Sequence, residues 1–205
     1  MWYCLLPKEP YSMKTVIIDY DAGNVKSLEF ALERLGVSTE ITDDSTKIAA
    51  ADKVIFPGQG EAASAMNKLR SKGLDVLIPQ LKQPVLGICL GMQLLCELTE
   101  EGDTTALGIL PLKVRRFPNT VKVPQMGWNQ VNHRQKGIFK GIKQDCYMYL
   151  VHSYYVPLDN ATVAQSDYAC RYSVAVEKDN FYGVQFHPEK SSKDGQKLLE
   201  NFLNF

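Results

Sequence analysis

One segment constrains the fold more than any other: Pro84-Val85-Leu86-Gly87-Ile88-Cys89-Leu90-Gly91-Met92-Gln93. An apolar run feeds straight into a cysteine, and a helix-forming run follows at once. Gly87 and Gly91 flank Cys89 at two-residue spacing, the glycine-x-nucleophile-x-glycine pattern of a sharp strand-to-helix elbow. Such a turn strains the backbone of the nucleophile, and the glycines remove Cβ atoms that the neighbouring strand and helix would crowd. The thiol then stands at a helix N-terminus, where free N–H groups favour an anion. The Leu90 N–H points to where an oxyanion would form. A core cysteine between two packing glycines is the plainer alternative, because free cysteine is among the most buried residue types. The strand–turn–helix context favours the nucleophile.

The surrounding pattern extends this into a fold. Residues 15–20 read as a strand, Asn24 as an N-cap, and Val25, Leu28, Ala31, Leu32 and Leu35 as one face of a helix that Gly36 stops. Strands follow at 37–42, 53–56 and 84–88, with helices at 62–73 and 90–98; Cys96 is expected on the buried face of the latter. Past about residue 110 the texture changes to strands at 114–117, 147–151, 162–165, 174–177 and 181–186, closed by an amphipathic helix at 193–205. The expectation is an α/β protein of three layers, with a central mixed, mostly parallel sheet flanked by helices, flavodoxin-like in plan.

With 205 residues, 45% of them hydrophobic and 22% charged, the chain suits one globular domain. Lys plus Arg and Asp plus Glu both number 23, and this zero balance argues against a nucleic-acid partner. Cysteines at 4, 89, 96, 146 and 170 are odd in number and lack C-x-x-C spacing. Reduced thiols in a cytoplasmic enzyme are the expectation, rather than a disulfide framework or zinc ribbon. No apolar run approaches the ~20 residues that span a membrane. Residues 1–12 lack the basic start and long apolar core of a signal peptide; they read as an N-terminal extension, with the domain at 13–205.

A thiol needs a base. In Gln185-Phe186-His187-Pro188-Glu189 an apolar strand ends at His187, Pro188 prevents its continuation, and Glu189 can turn back to the imidazole. His152 also ends a strand and is the rival base, but has no adjacent carboxylate; His133 sits in a polar loop. His-x-Glu occurs in zinc deaminases too, but their P-C-x-x-C partner is absent, so neither metal nor cofactor is expected. Pro57-Gly58-Gln59-Gly60, between a strand and a helix, can aim backbone N–H groups at the same crevice. No G-K-[ST] follows, so a phosphate loop is not supported.

Together, Gly87-Ile88-Cys89-Leu90-Gly91-Met92-Gln93 and Gln185-Phe186-His187-Pro188-Glu189 resemble the class I, triad glutamine amidotransferases. Further segments narrow the likeness to the glutaminase subunits of imidazole glycerol phosphate synthases. They are Ile18 to Asn24, Pro57 to Gly60, Pro124 to Asn129, His152 to Tyr155 and Lys190-Ser191. The resemblance covers residues 13–205 and implies Cys89, His187 and Glu189 as the catalytic triad. It implies Gly60, Gln59 and Leu90 as the oxyanion site, and Gln93, Ser153 and Tyr154 as glutamine-binding. It also implies a heterodimer with a (β/α)8-barrel synthase in histidine biosynthesis, contacted through Asn24, Trp128, Tyr149 and Lys190. Lys190 is expected against Trp128 as a cation–π pair. Asp21 stands where a glycine is common in the family, and Gln59 where a small or apolar residue is. Two alternatives stay open: the glutaminase of another synthase, such as anthranilate or aminodeoxychorismate synthase, and an idle assembly subunit.

Overall fold

The computed structural model describes residues 13–21 and 23–205; the extension expected at 1–12 lies outside them. The first half alternates as the pattern requires: β1 (Thr15–Ile18), α1 (Val25–Glu33), β2 (Thr39–Thr42), α2 (Ser45–Ala49), β3 (Lys53–Gly58), α3 (Ala62–Ser71), α4 (Leu74–Leu77), β4 (Val85–Cys89) and α5 (Leu90–Leu94). Local chemistry sets the ends. The Asn24 side chain accepts the Ser27 N–H at 3.4 Å, and the Asp44 side chain accepts the Thr46 N–H at 2.8 Å, each satisfying an orphan donor of a first turn.

The second half is strand-rich: β5 (Cys96–Thr99), β6 (Thr104–Thr105), β7 (Leu110–Arg116), β8 (Gln125–His133), β9 (Cys146–His152), β10 (Tyr154–Tyr155), β11 (Thr162–Tyr168), β12 (Cys170–Lys178) and β13 (Phe181–Val184), then α6 (Ser192–Leu203). The main sheet has nine strands in the order β2-β1-β3-β4-β13-β12-β11-β8-β9. Its first five strands are mutually parallel and its last four antiparallel. A four-stranded sheet, β10-β7-β5-β6, lies beside it.

Strand alternation divides the core into two layers. Ile17, Ile55 and Leu86 pack with α1 and α6 through Leu28, Leu32, Leu198 and Phe202. Val16, Ile18, Val54, Phe56 and Val85 pack on the other face with α3 and α5 through Met66, Leu69, Leu90 and Met92. Each fully buried Val, Leu, Ile or Phe contributes roughly 1.5–3 kcal/mol, so a sheet covered on both faces is the main source of stability.

Two expectations need correction. The helix expected at 90–98 ends at Leu94, and Cys96 opens β5 instead. The Leu94 and Leu95 carbonyls, which would extend a helix, accept the N–H groups of Leu107 and Leu110. Cys96 is nevertheless core. The strand expected at 181–186 stops at Val184, two residues short, and Gln185-Phe186 form a bend into His187.

Candidate active site

Register brings the distant motifs together. β3, β4 and β13 are adjacent and parallel, with Gly58 opposite Cys89 and Val184 opposite Ile88. The Pro57-to-Gly60 loop, Cys89 and the Gln185-to-Glu189 segment therefore leave the sheet side by side at its carboxyl edge, where open α/β sheets place their sites.

The elbow is strained as its sequence requires. Cys89 has φ 55° and ψ −111°, a region that side-chain-bearing residues rarely occupy. Close packing makes the flanking glycines obligatory. A Cβ on Gly91 would lie 2.0 Å from the Phe56 carbonyl oxygen, and one on Gly87 2.9 Å from the Gly91 carbonyl. Alanine at Gly91 would drive strand and helix apart and move the sulfur.

Cys89 and His187 line one cleft of about 350 Å³. His187 Nδ1 lies 2.9 Å from Glu189 Oε1, which fixes the ring and leaves Nε2 for another partner. The turn carrying the pair is clamped to β9. The His187 N–H donates to the Tyr149 carbonyl at 2.9 Å, and the Ser191 hydroxyl donates to the His187 carbonyl at 2.6 Å. Burial opposes a charged imidazole, but hydrogen bonding and charge from Cys89 and Glu189 outweigh it and push the His187 pKa up to about 10. Glu189 and Cys89 thus both favour the protonated ring.

The rival base is engaged elsewhere. His152 Nδ1 lies 2.7 Å from the Tyr154 carbonyl, and Nε2 3.3 Å from the Tyr172 hydroxyl. Burial, with the nearby His187 charge, depresses its pKa to about 4 despite the Tyr154 bond, so it is neutral and structural. His133, expected in a polar loop, is instead buried at the end of β8, with its ring stacked on Phe139.

Gln59, Gly60, Leu90, Gln93, Ser153 and Tyr154 all line the same cleft. The Gln93 amide donates to the Tyr154 carbonyl at 3.0 Å. Lys190 is at the rim, whereas the other three residues expected at a partner interface are not in the cleft. Asn24 lines a small separate cavity with His187 and Glu189. Trp128 faces Tyr149 across the β8–β9 ladder, with ring centroids 6.0 Å apart and edge-on. The aromatic partner of Trp128 is thus Tyr149, in place of the expected contact with Lys190.

Glu101 escaped the sequence reading. It lines the cleft, accepts the Ala62 N–H at 2.8 Å, and has its carboxyl pKa raised, chiefly by burial. Its signal, one glutamate in a run of acidic residues after the elbow, looks like a solvated turn.

A cysteine on a strained elbow, an imidazole oriented by a carboxylate, and backbone donors around one cleft form an arrangement capable of acyl transfer from an amide. The sequence pattern described as "Glutamine amidotransferase class-I" matches residues 16–204. The chain is 50% identical over 194 residues to "Imidazole glycerol phosphate synthase subunit HisH" of Bacteroides fragilis (strain YCH46), covering 93% of this chain and 99% of that one. The protein of the same name from Haemophilus influenzae (strain ATCC 51907 / DSM 11121 / KW20 / Rd) is 49% identical over 189 residues, covering 91% and 95%. In fold, a putative GMP synthase protein from Thermoplasma acidophilum superposes with a TM-score of 0.74 at 22% identity, over 96% of this chain and 94% of that one. The chain belongs to the class-I glutamine amidotransferases and, within them, to the imidazole glycerol phosphate synthase subunits HisH.

Proposed function

We propose that this chain releases ammonia from glutamine through Cys89 and delivers it to a (β/α)8-barrel synthase subunit that makes imidazole glycerol phosphate. The observation that carries the chemistry is the His187–Glu189 pair, 2.9 Å apart, sharing a cleft with the strained Cys89. The HisH relatives, named as synthase subunits, support the choice of partner.

The Cys89 sulfur attacks the side-chain carbonyl carbon of glutamine. The carbonyl oxygen becomes an oxyanion, which accepts hydrogen bonds from the N–H of Leu90 at the start of α5 and that of Gly60 in the loop with Gln59. His187 gives its proton to the amide nitrogen, the C–N bond breaks, and ammonia leaves a γ-glutamyl thioester. Water then attacks the thioester as His187 takes its proton, and glutamate departs with the thiolate restored. Glu189 keeps the imidazole in register and stabilises its charged form.

Gln93 and the main chain at Ser153 and Tyr154 hold the head group of glutamine. Glu101, an acidic wall of the cleft, faces the α-ammonium. The partner binds the exposed apolar face of β8 and β9, where Met126, Trp128 and Tyr147 are 65%, 52% and 56% exposed, with Lys190 and Asn24 near the seam. Ammonia crossing that seam converts a ribulosyl-formimino nucleotide into imidazole glycerol phosphate and an aminoimidazole-carboxamide nucleotide. The reduced state of the thiol fits a cytoplasmic location.

Ammonia release from glutamine, measured with and without the barrel partner and its nucleotide ligand, tests this reading. Strong activation by that partner, lost in Cys89→Ala, is expected. Activation by the anthranilate or aminodeoxychorismate component instead would assign another partner. Ammonia release that survives Cys89→Ala would remove the proposed nucleophile.

A further inference from the structure

Gln185 follows β13 directly and its side chain is fully buried beside the elbow. Its Oε1 lies 2.9 Å from Gln93 Nε2, and its Nε2 lies 3.8 Å from Cys89 Sγ. A buried amide is costly unless both ends are satisfied, and the polarity of this one follows from its neighbours. The Tyr154 carbonyl can only accept, and it lies 3.0 Å from Gln93, so the nitrogen of Gln93 must face it. The second hydrogen of that nitrogen needs an acceptor, which commits the oxygen of Gln185. The NH2 of Gln185 is then left pointing at the sulfur. Across from it, the Val151 carbonyl lies 3.8 Å from Sγ and can receive the thiol hydrogen.

We propose that Gln185 is a positioning residue for the nucleophile: its amide, oriented through Gln93 by a main-chain carbonyl, donates to the Cys89 sulfur and favours the thiolate. No proton is transferred, because the N–H stays on Gln185 while the sulfur loses its own hydrogen. The donor stabilises the charged form alone, whereas the Val151 carbonyl favours the protonated one. Removing Gln185 therefore shifts the balance toward the Val151 carbonyl and the protonated thiol. Because Gln93 also lines the cleft, the same amide chain joins the pocket wall to the reacting atom. The proposal rests on the assignment of Cys89 as nucleophile.

The test is the pH dependence of alkylation of Cys89 by iodoacetamide, read on its own peptide by mass spectrometry in the full chain without glutamine. Gln185→Met keeps the length and removes the donor. Its alkylation midpoint is expected to rise by about one pH unit, with circular dichroism confirming the fold. Gln93→Met leaves Gln185 in place but frees its amide to turn over, and a smaller rise is expected. A folded Gln185→Met or Gln93→Met chain whose midpoint matches that of the unsubstituted chain would overturn the proposal. Glutaminase turnover is not read here, so a chain active on glutamine whose variants alkylate normally sinks this inference and leaves the proposed function intact.

Discussion

β3 and β8 belong to one sheet and bury very different shares of their length. All six residues of β3 are buried, whereas in β8 only Gln125, Val131 and His133 are. β3 lies among parallel strands covered by helices on both faces, β8 near the end of the antiparallel run. Parallel strands need crossover helices, and those helices dry both faces; the outer antiparallel pair β8 and β9 keeps one face open. The dry half can hold a strained turn such as Cys89, because surrounding packing over-determines it. The open face of β8 and β9 keeps Met126, Trp128 and Tyr147 at the surface, an apolar strip suited to another protein. The strained cysteine and the exposed apolar strip thus fall to different halves of the sheet, joined where His187 hangs from the Tyr149 carbonyl of β9.

The largest effect should come from the carboxyl edge of the parallel half. His187→Gln is expected to lower glutaminase kcat by roughly 10²–10⁴-fold, the usual worth of a general acid–base. Steady-state assays of the partner-activated complex would expose a loss of tenfold or less, which would point to a different base. Next, Ile55→Ala in β3 should cost roughly 2–5 kcal/mol in urea unfolding, because Ile55 is fully buried. A cost below 1 kcal/mol would mean that the parallel half is not the stable one.

A pH effect sharpens the comparison from the seam. His152 has a folded pKa of about 4 against the ordinary 6.5, so the unfolded chain binds its proton first as pH falls. Its contribution, about 3 kcal/mol, is complete above pH 6.5 and disappears on acidification toward pH 4. Stability curves should flatten over that window in His152→Gln; an unchanged slope would show that His152 is not the group responsible. Smallest in stability is Trp128→Ala in β8, expected to cost at most ~1 kcal/mol for the lost edge-on contact with Tyr149. Titration of the barrel subunit should nonetheless need roughly tenfold more partner or worse, as for a central aromatic anchor.

The same contrast explains what the sequence disclosed. Buried parallel strands read as unbroken apolar runs, so β1, β3 and β4 and the elbow were legible, and the glycines beside Cys89 carried steric information that the structure repeats. β8 was invisible because Gln125 to His133 is mostly polar: Gln125, Val131 and His133 are buried on one face, while the exposed face mixes Met126 and Trp128 with Gln130 and Asn132. The helix after Cys89 was overrun because Leu94, Leu95 and Cys96 look helical, while the hydrogen bonds that end it come from Leu107 and Leu110, distant in sequence. Glu101 and Gln185 carry no local mark of function. Their positions in the cleft wall and beside the sulfur depend on strand order, which spacing alone does not encode.

The proposed chemistry assigns the glutamyl group to one sulfur among the four described cysteines. A glutamine analogue bearing a diazoketone in place of the amide, followed by peptide mass spectrometry, tests it directly. One covalent adduct on Cys89, suppressed by excess glutamine, with Cys96, Cys146 and Cys170 unlabelled, is the predicted result. Labelling of another cysteine, or full inactivation with Cys89 unmodified, would contradict it.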